Sequence, residues 1–199
     1  MTTQQLNNDM RQLGMNVSSP DFSGLVLGHT QLRLVEPDDA EYIYSLRINS
    51  DLNTYLSTPP ASANAQREWV IAYKVREAAN LEFYFVICTL LGQPCGAVRL
   101  YDFSDRSFCW GSWILDGQKS RYSAIESALL VYEAGFGRLG FQQSHFDVRR
   151  ENVKVISFHK KMGARETRQD DQNVYFEISP ADVAARREAL MHIIGVEKK

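Results

Sequence analysis

The spacing of apolar positions along the chain switches repeatedly between a strand period and a helix period. "LRLVEP" (32–37) alternates apolar and polar residues and predicts a half-buried strand. In "PDDAEYIYSLRINS" the spacing becomes helical. Ala40, Ile43, Leu46 and Arg47 trace one face, Pro37 suits the first turn, and Asp38 and Asp39 suit the positive end of the helix dipole. "STPPASAN" interrupts the pattern, and "AQREWVIAYKVREAA" predicts a second helix with Trp69, Ala72, Tyr73 and Arg76 on one side. From 81 to 115 the residues are aromatic and β-branched. "LEFYFVICTL", "AVRLYDF" and "SFCWGSWIL" predict a meander that turns at "LGQPCG" and "SDR". A loop and a long helix follow, with Ile125, Ala128, Leu129, Tyr132, Phe136 and Leu139 on the helical period. "QQSHFDVR" (142–149) predicts a strand, "ENVKVISFHKKMGAR" a helix, "VYFEIS" (174–179) a last strand, and 181–192 a short terminal helix.

This order, β α α β β β α β α β, implies a mixed sheet with helices on its faces, in the α/β to α+β range. With 199 residues the chain suits one domain with appendages. The expected division is an N-terminal arm at 1–25, a body at 26–180 and a helical tail at 181–199. A hydrophobic content of 44% supports a sizeable core, and a net charge of −2 argues against a dedicated nucleic-acid surface. No apolar run approaches the ~20 residues of a membrane span, and the polar N-terminus lacks an apolar signal core, so a cytoplasmic protein without a membrane partner is expected. Cys88, Cys95 and Cys109 and the histidines at 29, 145, 159 and 192 show no ligand spacing, and no metal is expected.

Two stretches carry candidate chemistry. In "ENVKVISFHKKMGAR", Asn152 can cap the helix start and Gly163 can end it in a left-handed turn. Val155, Ile156, His159 and Met162 share one stripe, and Asn152 faces the same way as His159, roughly 10 Å away along the axis. An otherwise core-facing stripe therefore carries an amide and an imidazole. The second stretch is "SWILDGQKSRYSAIESALL". A helix starting near Ser123 points free N–H groups out of its first turn, with Lys119 and Arg121 as cations and Ser120 and Ser123 as hydroxyl donors. A pyrophosphate fits this start physically, and so does a solvated basic turn with a serine cap.

With these residues in this order, the chain resembles the GNAT superfamily of acetyl-CoA-dependent N-acetyltransferases over about residues 30–180. The family's phosphate loop, Q/R-x-x-G-x-G/A, corresponds to "KSRYSA", with Tyr122 where glycine is usual. The resemblance implies that Lys119, Ser120, Arg121, Tyr122, Ser123 and Ala124 hold the CoA pyrophosphate. The family's next helix, N-x-x-A-x-x-F-Y-x-K-x-G-F, corresponds to "NVKVISFHKKMGA". Asn152, Phe158, Lys161 and Gly163 match. The resemblance assigns Asn152 and Phe158 to the cofactor arm, and it places His159 where a tyrosine commonly protonates the departing thiolate. An imidazolium could do this near neutral pH, and a neutral ring N–H can still donate. Backbone N–H groups around Trp113, Ile114 and Leu115 are expected to meet the oxyanion. Many relatives carry a glutamate near the position of Cys109, and this chain has none there. Glu126, Asp147 and a water are left as candidate bases.

The acceptor is expected among the first two helices and the middle strands, where Arg47, Tyr55, Arg99 and Trp110 could bind a substrate through aromatic faces and guanidinium groups. Trp69, Tyr84 and Phe103 are expected to be core. "LRLVEPDDAEYIYSLR", "AYKVREA", "VRLYDF", "SFCWGSWIL" and "ESALLVYEAGF" are similar to bacterial N-acetyltransferases that modify a UDP-linked 4-amino sugar on the way to pseudaminic acid. That resemblance implies acetyl-CoA as cosubstrate and a nucleotide-linked amino sugar as acceptor, and it leaves a homodimer open. Two other readings stand beside it: a protein N-terminal acetyltransferase of the ribosomal-protein type, and an acyl-CoA-binding module without catalysis.

Overall fold

Alternation in the first apolar stretch produces strand β2 (Thr30–Leu34), which is preceded by a two-residue strand β1 (Val26–Leu27). The computed structural model describes residues 19–104 and 106–195. Most of the expected arm and the end of the expected tail lie outside these residues. After β2, a 3-10 turn at Pro37–Asp39 leads into helix α1 (Ala40–Ile48). Asn49 then turns extended (φ −72°, ψ 113°) and its side chain caps a short helix α2 (Ser50–Asn53). Helix α3 (Ala63–Ala78) starts at Ser62, whose side chain accepts a bond from the Ala65 N–H. Strands β3 (Phe83–Thr89), β4 (Pro94–Tyr101) and β5 (Ser107–Leu115) form the expected antiparallel meander. Helix α4 (Ser123–Tyr132) continues into a π-helical turn at Glu133–Arg138. Strand β6 (Gln143–Arg149) is followed by helix α5 (Val153–Met162), capped by Asn152 and ended by Gly163 at φ +106°. Strands β7 (Arg165–Gln169) and β8 (Asn173–Ile178) and helix α6 (Pro180–Ile193) complete the described chain.

The strands form one sheet in the order β1-β2-β3-β4-β5-β6-β8-β7. Every pairing is antiparallel except β5 with β6. That parallel pair is short. Ser107 lies opposite Gln143 and Phe108 opposite Ser144, and beyond these residues no pairing continues. β5 runs on to Leu115 and β6 to Arg149, so the sheet splays open between them.

Each face of the sheet has its own core. Helices α1 and α3 cover β3–β5 with Ile43, Leu46, Val70 and Tyr73 packed on Val86, Ala97 and Ile114. Helices α4, α5 and α6 cover the other face around Phe108, Trp110, Leu129, Phe146 and Phe176. The expected fold class therefore holds, with helices on both faces. Four details differ from the sequence reading. The first predicted helix breaks at Asn49. The buried line of α3 is Gln66, Val70 and Tyr73, while Ala72 points to solvent. Strand β7, "RETRQ", is exposed along its length and has no apolar signature, because it is an edge held by backbone pairing to β8. Phe22 and Leu25, in the stretch expected to be an arm, are buried, with the Phe22 ring edge-on to Phe83 and Phe85. At the other end Val183 and Leu190 of α6 join the same core.

Candidate active site

The splay between β5 and β6 is a slot of about 290 Å³. Trp110, Gly111, Ser112 and Trp113 line it from β5, and Phe146, Asp147, Val148 and Arg149 from β6. Asn152, Val155 and His159 of the α5 segment border it on one side of the sheet, and Tyr55, Leu56 and Ser57 on the other. The slot therefore passes through the sheet. Tyr55 spans it from above, its hydroxyl donating to the Glu151 carbonyl (3.2 Å).

A bulge in β5 shapes the wall of the slot. Ala97 pairs with Ile114 but Arg99 pairs with Gly111, so β5 fits one extra residue between these pairs. Ser112 takes the strain at φ +49°, a conformation that side chains other than glycine adopt at a cost. Gly111 is small because a Cβ there would come within 2.9 Å of the Tyr101 hydroxyl. The bulge interrupts the β4–β5 ladder at the slot wall, so backbone groups there can turn toward a ligand. Sequence reasoning missed Ser112 itself. Its signal was the odd spacing of Trp110 and Trp113, which would point a regular strand's side chains to opposite faces. Both rings lie in or against the same core, 5.6 Å apart.

The start of α4 is built more tightly than the sequence suggested. Ser123 is buried; its Oγ accepts from the Ser120 N–H (3.0 Å) and lies 3.1 Å from the Thr30 hydroxyl oxygen. Its side chain is therefore engaged within the fold, between the loop before α4 and β2, and the helix start has no side-chain cap. Glu126 is fully buried beside it and accepts from the Thr30 hydroxyl (2.6 Å) and the His29 N–H (3.1 Å). That position ties the β1–β2 turn to α4 and removes Glu126 as a candidate base. Tyr122, standing where the family has glycine, has φ −105° and carries no backbone strain. Lys119 and Arg121 stay exposed. The Lys119 ammonium donates to the Asp116 carbonyl (3.1 Å), and the Arg121 guanidinium lies 5.4 Å from the Tyr122 ring centre.

His159 sits in an aromatic cage of Trp110, Trp113, Phe146, Phe158 and Phe176, with ring centres 4.4–6.4 Å away. Its Nδ1 is buried without a hydrogen-bond partner. Burial pushes the imidazole down to about 3, because the cage offers nothing to solvate a charge. The ring is therefore neutral at physiological pH, and the protonated form considered from sequence is not the one the site holds. Phe158 flanks the slot through Trp113 (5.1 Å between rings).

A second cavity of about 370 Å³ adjoins the slot on the α1–α3 side. Arg47, Gln66, Trp69, Tyr84 and Arg99 line it, together with the loop at 57–60. Ser57 and Ser112 line both cavities, so they mark the meeting point. Arg99 is held by the buried Glu82, which also accepts from Arg76 (2.5 Å). The Arg99 guanidinium also lies 5.2 Å from the Trp69 ring centre. Arg47 donates to the Ser57 carbonyl (3.1 Å) and hydroxyl (2.9 Å), while its Nε is buried without a partner. Gln66 is also buried, with Oε1 unpartnered.

The structure thus brings Tyr55, Trp110, Trp113, Asn152 and His159 to the slot, and Arg47 and Arg99 to the adjoining cavity. Trp110 packs in the α4–α6 core, away from the face on which Arg47 and Arg99 lie, so its expected place beside the acceptor is corrected. Ile114 turns its side chain into the opposite core and Leu115 packs against the α4–α6 core, leaving only their backbones for the role expected of them. Trp69 and Tyr84, expected to be core, are packed and also line the acceptor-side cavity.

Comparison with known proteins identifies relatives of this chain. The family described as Acetyltransferase (GNAT) domain matches residues 29–165. No curated protein matches the chain. Among solved structures, the chain is 49% identical to apo FdhC, a nucleotide-linked sugar GNAT, over 84% of this chain and 96% of that one, with a TM-score of 0.77. A GCN5-related N-acetyltransferase from Brucella melitensis is 16% identical, covers 90% of both chains and has a TM-score of 0.69. Spermidine N-acetyltransferase from Vibrio cholerae, in complex with CoA and spermine, is 20% identical over 79% of this chain and 99% of that one, with a TM-score of 0.68. The last two show a shared fold.

Proposed function

The chain belongs to the GNAT acetyltransferase family, and from that premise we propose that it moves an acetyl group from acetyl-CoA to the primary amine of a nucleotide-linked amino sugar. The observation that carries this reading is the pair of cavities meeting at Ser57 and Ser112. The slot takes the pantetheine arm, and the arginine- and tryptophan-lined cavity takes the acceptor. Asn152 and Val155 border the arm, and Lys119 and Arg121 meet the pyrophosphate at the start of α4 together with the backbone of Ser120–Ala124. Backbone groups of the bulge stabilise the oxyanion. His159, neutral in its cage, offers a ring N–H to the sulfur as the C–S bond breaks. Tyr55 and Arg47 hold the loop that roofs the acceptor.

The choice of acceptor rests on charge. The residues lining the acceptor-side cavity include two arginines and no carboxylate. A peptide N-terminus or a polyamine carries positive charge and would call for acidic residues there; a nucleoside diphosphate carries negative charge. The 49% identity to a nucleotide-linked sugar GNAT supports the same class. Mass spectrometry of products from acetyl-CoA and a panel of UDP- and dTDP-amino sugars, with peptides as controls, tests the reading. An N-acetylated nucleotide sugar is expected. Acetylation of peptides alone would overturn the acceptor, and CoA binding without turnover of any amine would overturn catalysis.

A further inference from the structure

As an amine attacks a thioester, one proton must leave the nitrogen. The residues lining the slot and the acceptor-side cavity include one carboxylate, that of Asp147. Its neighbours Phe146 and Val148 are buried in the α4–α6 core. Side chains alternate along a strand, so Asp147 projects on the other face, where the acceptor cavity lies. Tyr101 and Cys109, opposite each other on β4 and β5, face it from across the splay. Burial pushes both groups up, and the charge of Asp147 adds to each. Their protonated, neutral forms give the carboxylate no positive partner.

The other polar groups around Asp147 are engaged elsewhere. On its own strand, His145 contacts the Ser107 hydroxyl (2.6 Å) and Asp102 (3.3 Å), and Arg149 donates to Gln172 (2.8 Å). Opposite it on β8, the Tyr175 hydroxyl donates to Asp170 (2.7 Å). Glu126, the nearest competitor by sequence, is locked under the β1–β2 turn, and Glu82 is locked between two arginines. Asp147 itself is exposed, forms no ion pair among the described residues, and stands beside the bulge that carries Ser112.

We propose that Asp147 is the catalytic base that takes the proton from the attacking nitrogen, an inference that rests on the acceptor reading above. The nitrogen lone pair forms the C–N bond at the thioester carbon, and the carbonyl oxygen takes up the charge. As the tetrahedral intermediate collapses, the C–S bond breaks and its electrons leave on sulfur. The nitrogen proton passes to a carboxylate oxygen of Asp147 and from there to solvent, which the exposed side chain reaches directly. The thiolate leaves hydrogen-bonded to the His159 ring N–H and takes its proton from solvent, so the products are amide and thiol. Asp147 thereby supplies from β6 the carboxylate that β5 lacks at Cys109.

Two variants test it, with CoA affinity measured alongside. Asp147→Asn should lower kcat/KM for the amine about 10²–10⁴-fold, the usual range for a positioned base, and leave CoA affinity unchanged. Asp147→Ala should fall by a similar factor, and added formate should restore part of its rate by entering the vacated space. A structural aspartate would not respond to formate. Wild-type rates in Asp147→Asn, or a slow Asp147→Ala that formate leaves slow, would overturn the proposal. Failure of the acceptor reading shows separately, as a wild type that acetylates no nucleotide sugar. In that event the same comparison on small alkylamines decides Asp147.

Discussion

His159 combines two properties that pull in opposite directions. It borders the slot proposed to hold the departing thiolate, and it is buried so deeply that charging it is costly. A ring held down to about 3 stays neutral in the folded protein while the unfolded chain protonates near 6.5. The unfolded state therefore binds more protons as pH falls through 6.5, and stability is lost from there downward. His159→Phe removes that loss and the unpartnered Nδ1 together. Urea denaturation should find the variant as stable as wild type at pH 7.5, and ahead of it at pH 5 by about 2 kcal/mol. Its kcat should fall about 10²–10⁴-fold with little change in KM for acetyl-CoA, because a transition-state contact is lost. An unchanged kcat would leave His159 a packing residue. The apolar stripe and the imidazole on it were both legible from the helical period. The charge state was not, because it depends on rings brought from β5, β6 and β8.

At the level of elements, what could be read ahead was local and what could not was tertiary. Helix α5 declared its start, its end and its inward stripe through Asn152, Gly163 and spacing alone. The β5 bulge left only the odd separation of two tryptophans, and β7 left nothing, because edge strands are defined by their partners. The start of α4 was half legible. Its cations were visible, but the fixing of Ser123 and Glu126 by Thr30 was not, since that contact joins residues more than ninety positions apart in sequence. Lys119 and Arg121 remain the exposed charges at that start. Replacing both by alanine should weaken CoA binding by about 2–4 kcal/mol, as charge-assisted hydrogen bonds contribute about 1.5–3 kcal/mol each and are not fully additive. Calorimetry that finds unchanged affinity would remove the pyrophosphate from this helix start.

For the whole molecule, the placement of helices on both faces explains why a site can exist at the centre of a sheet. The α4–α6 core bridges β5 and β6 through Trp110 and Phe146, whose ring centres are 5.8 Å apart, and the slot opens beside this bridge. The residues at its two mouths belong to different elements: α5 on one side, the 55–57 loop on the other. One substrate can therefore be in place without obstructing the other. The hydroxyls at the meeting point, those of Ser57 and Ser112, form no hydrogen bond to a carboxylate or histidine among the described residues, so neither is activated to carry the acyl group between the substrates. The Cys109 thiol is buried, pushed up to about 11, and absent from the lining of either cavity. Turnover should then require both substrates on the protein at once. Double-reciprocal plots with the two concentrations varied should intersect; parallel lines would mean an acyl-enzyme. CoA left after one cycle should compete with the next acetyl-CoA for its mouth of the gap, and should leave the amine's mouth free to refill before it departs.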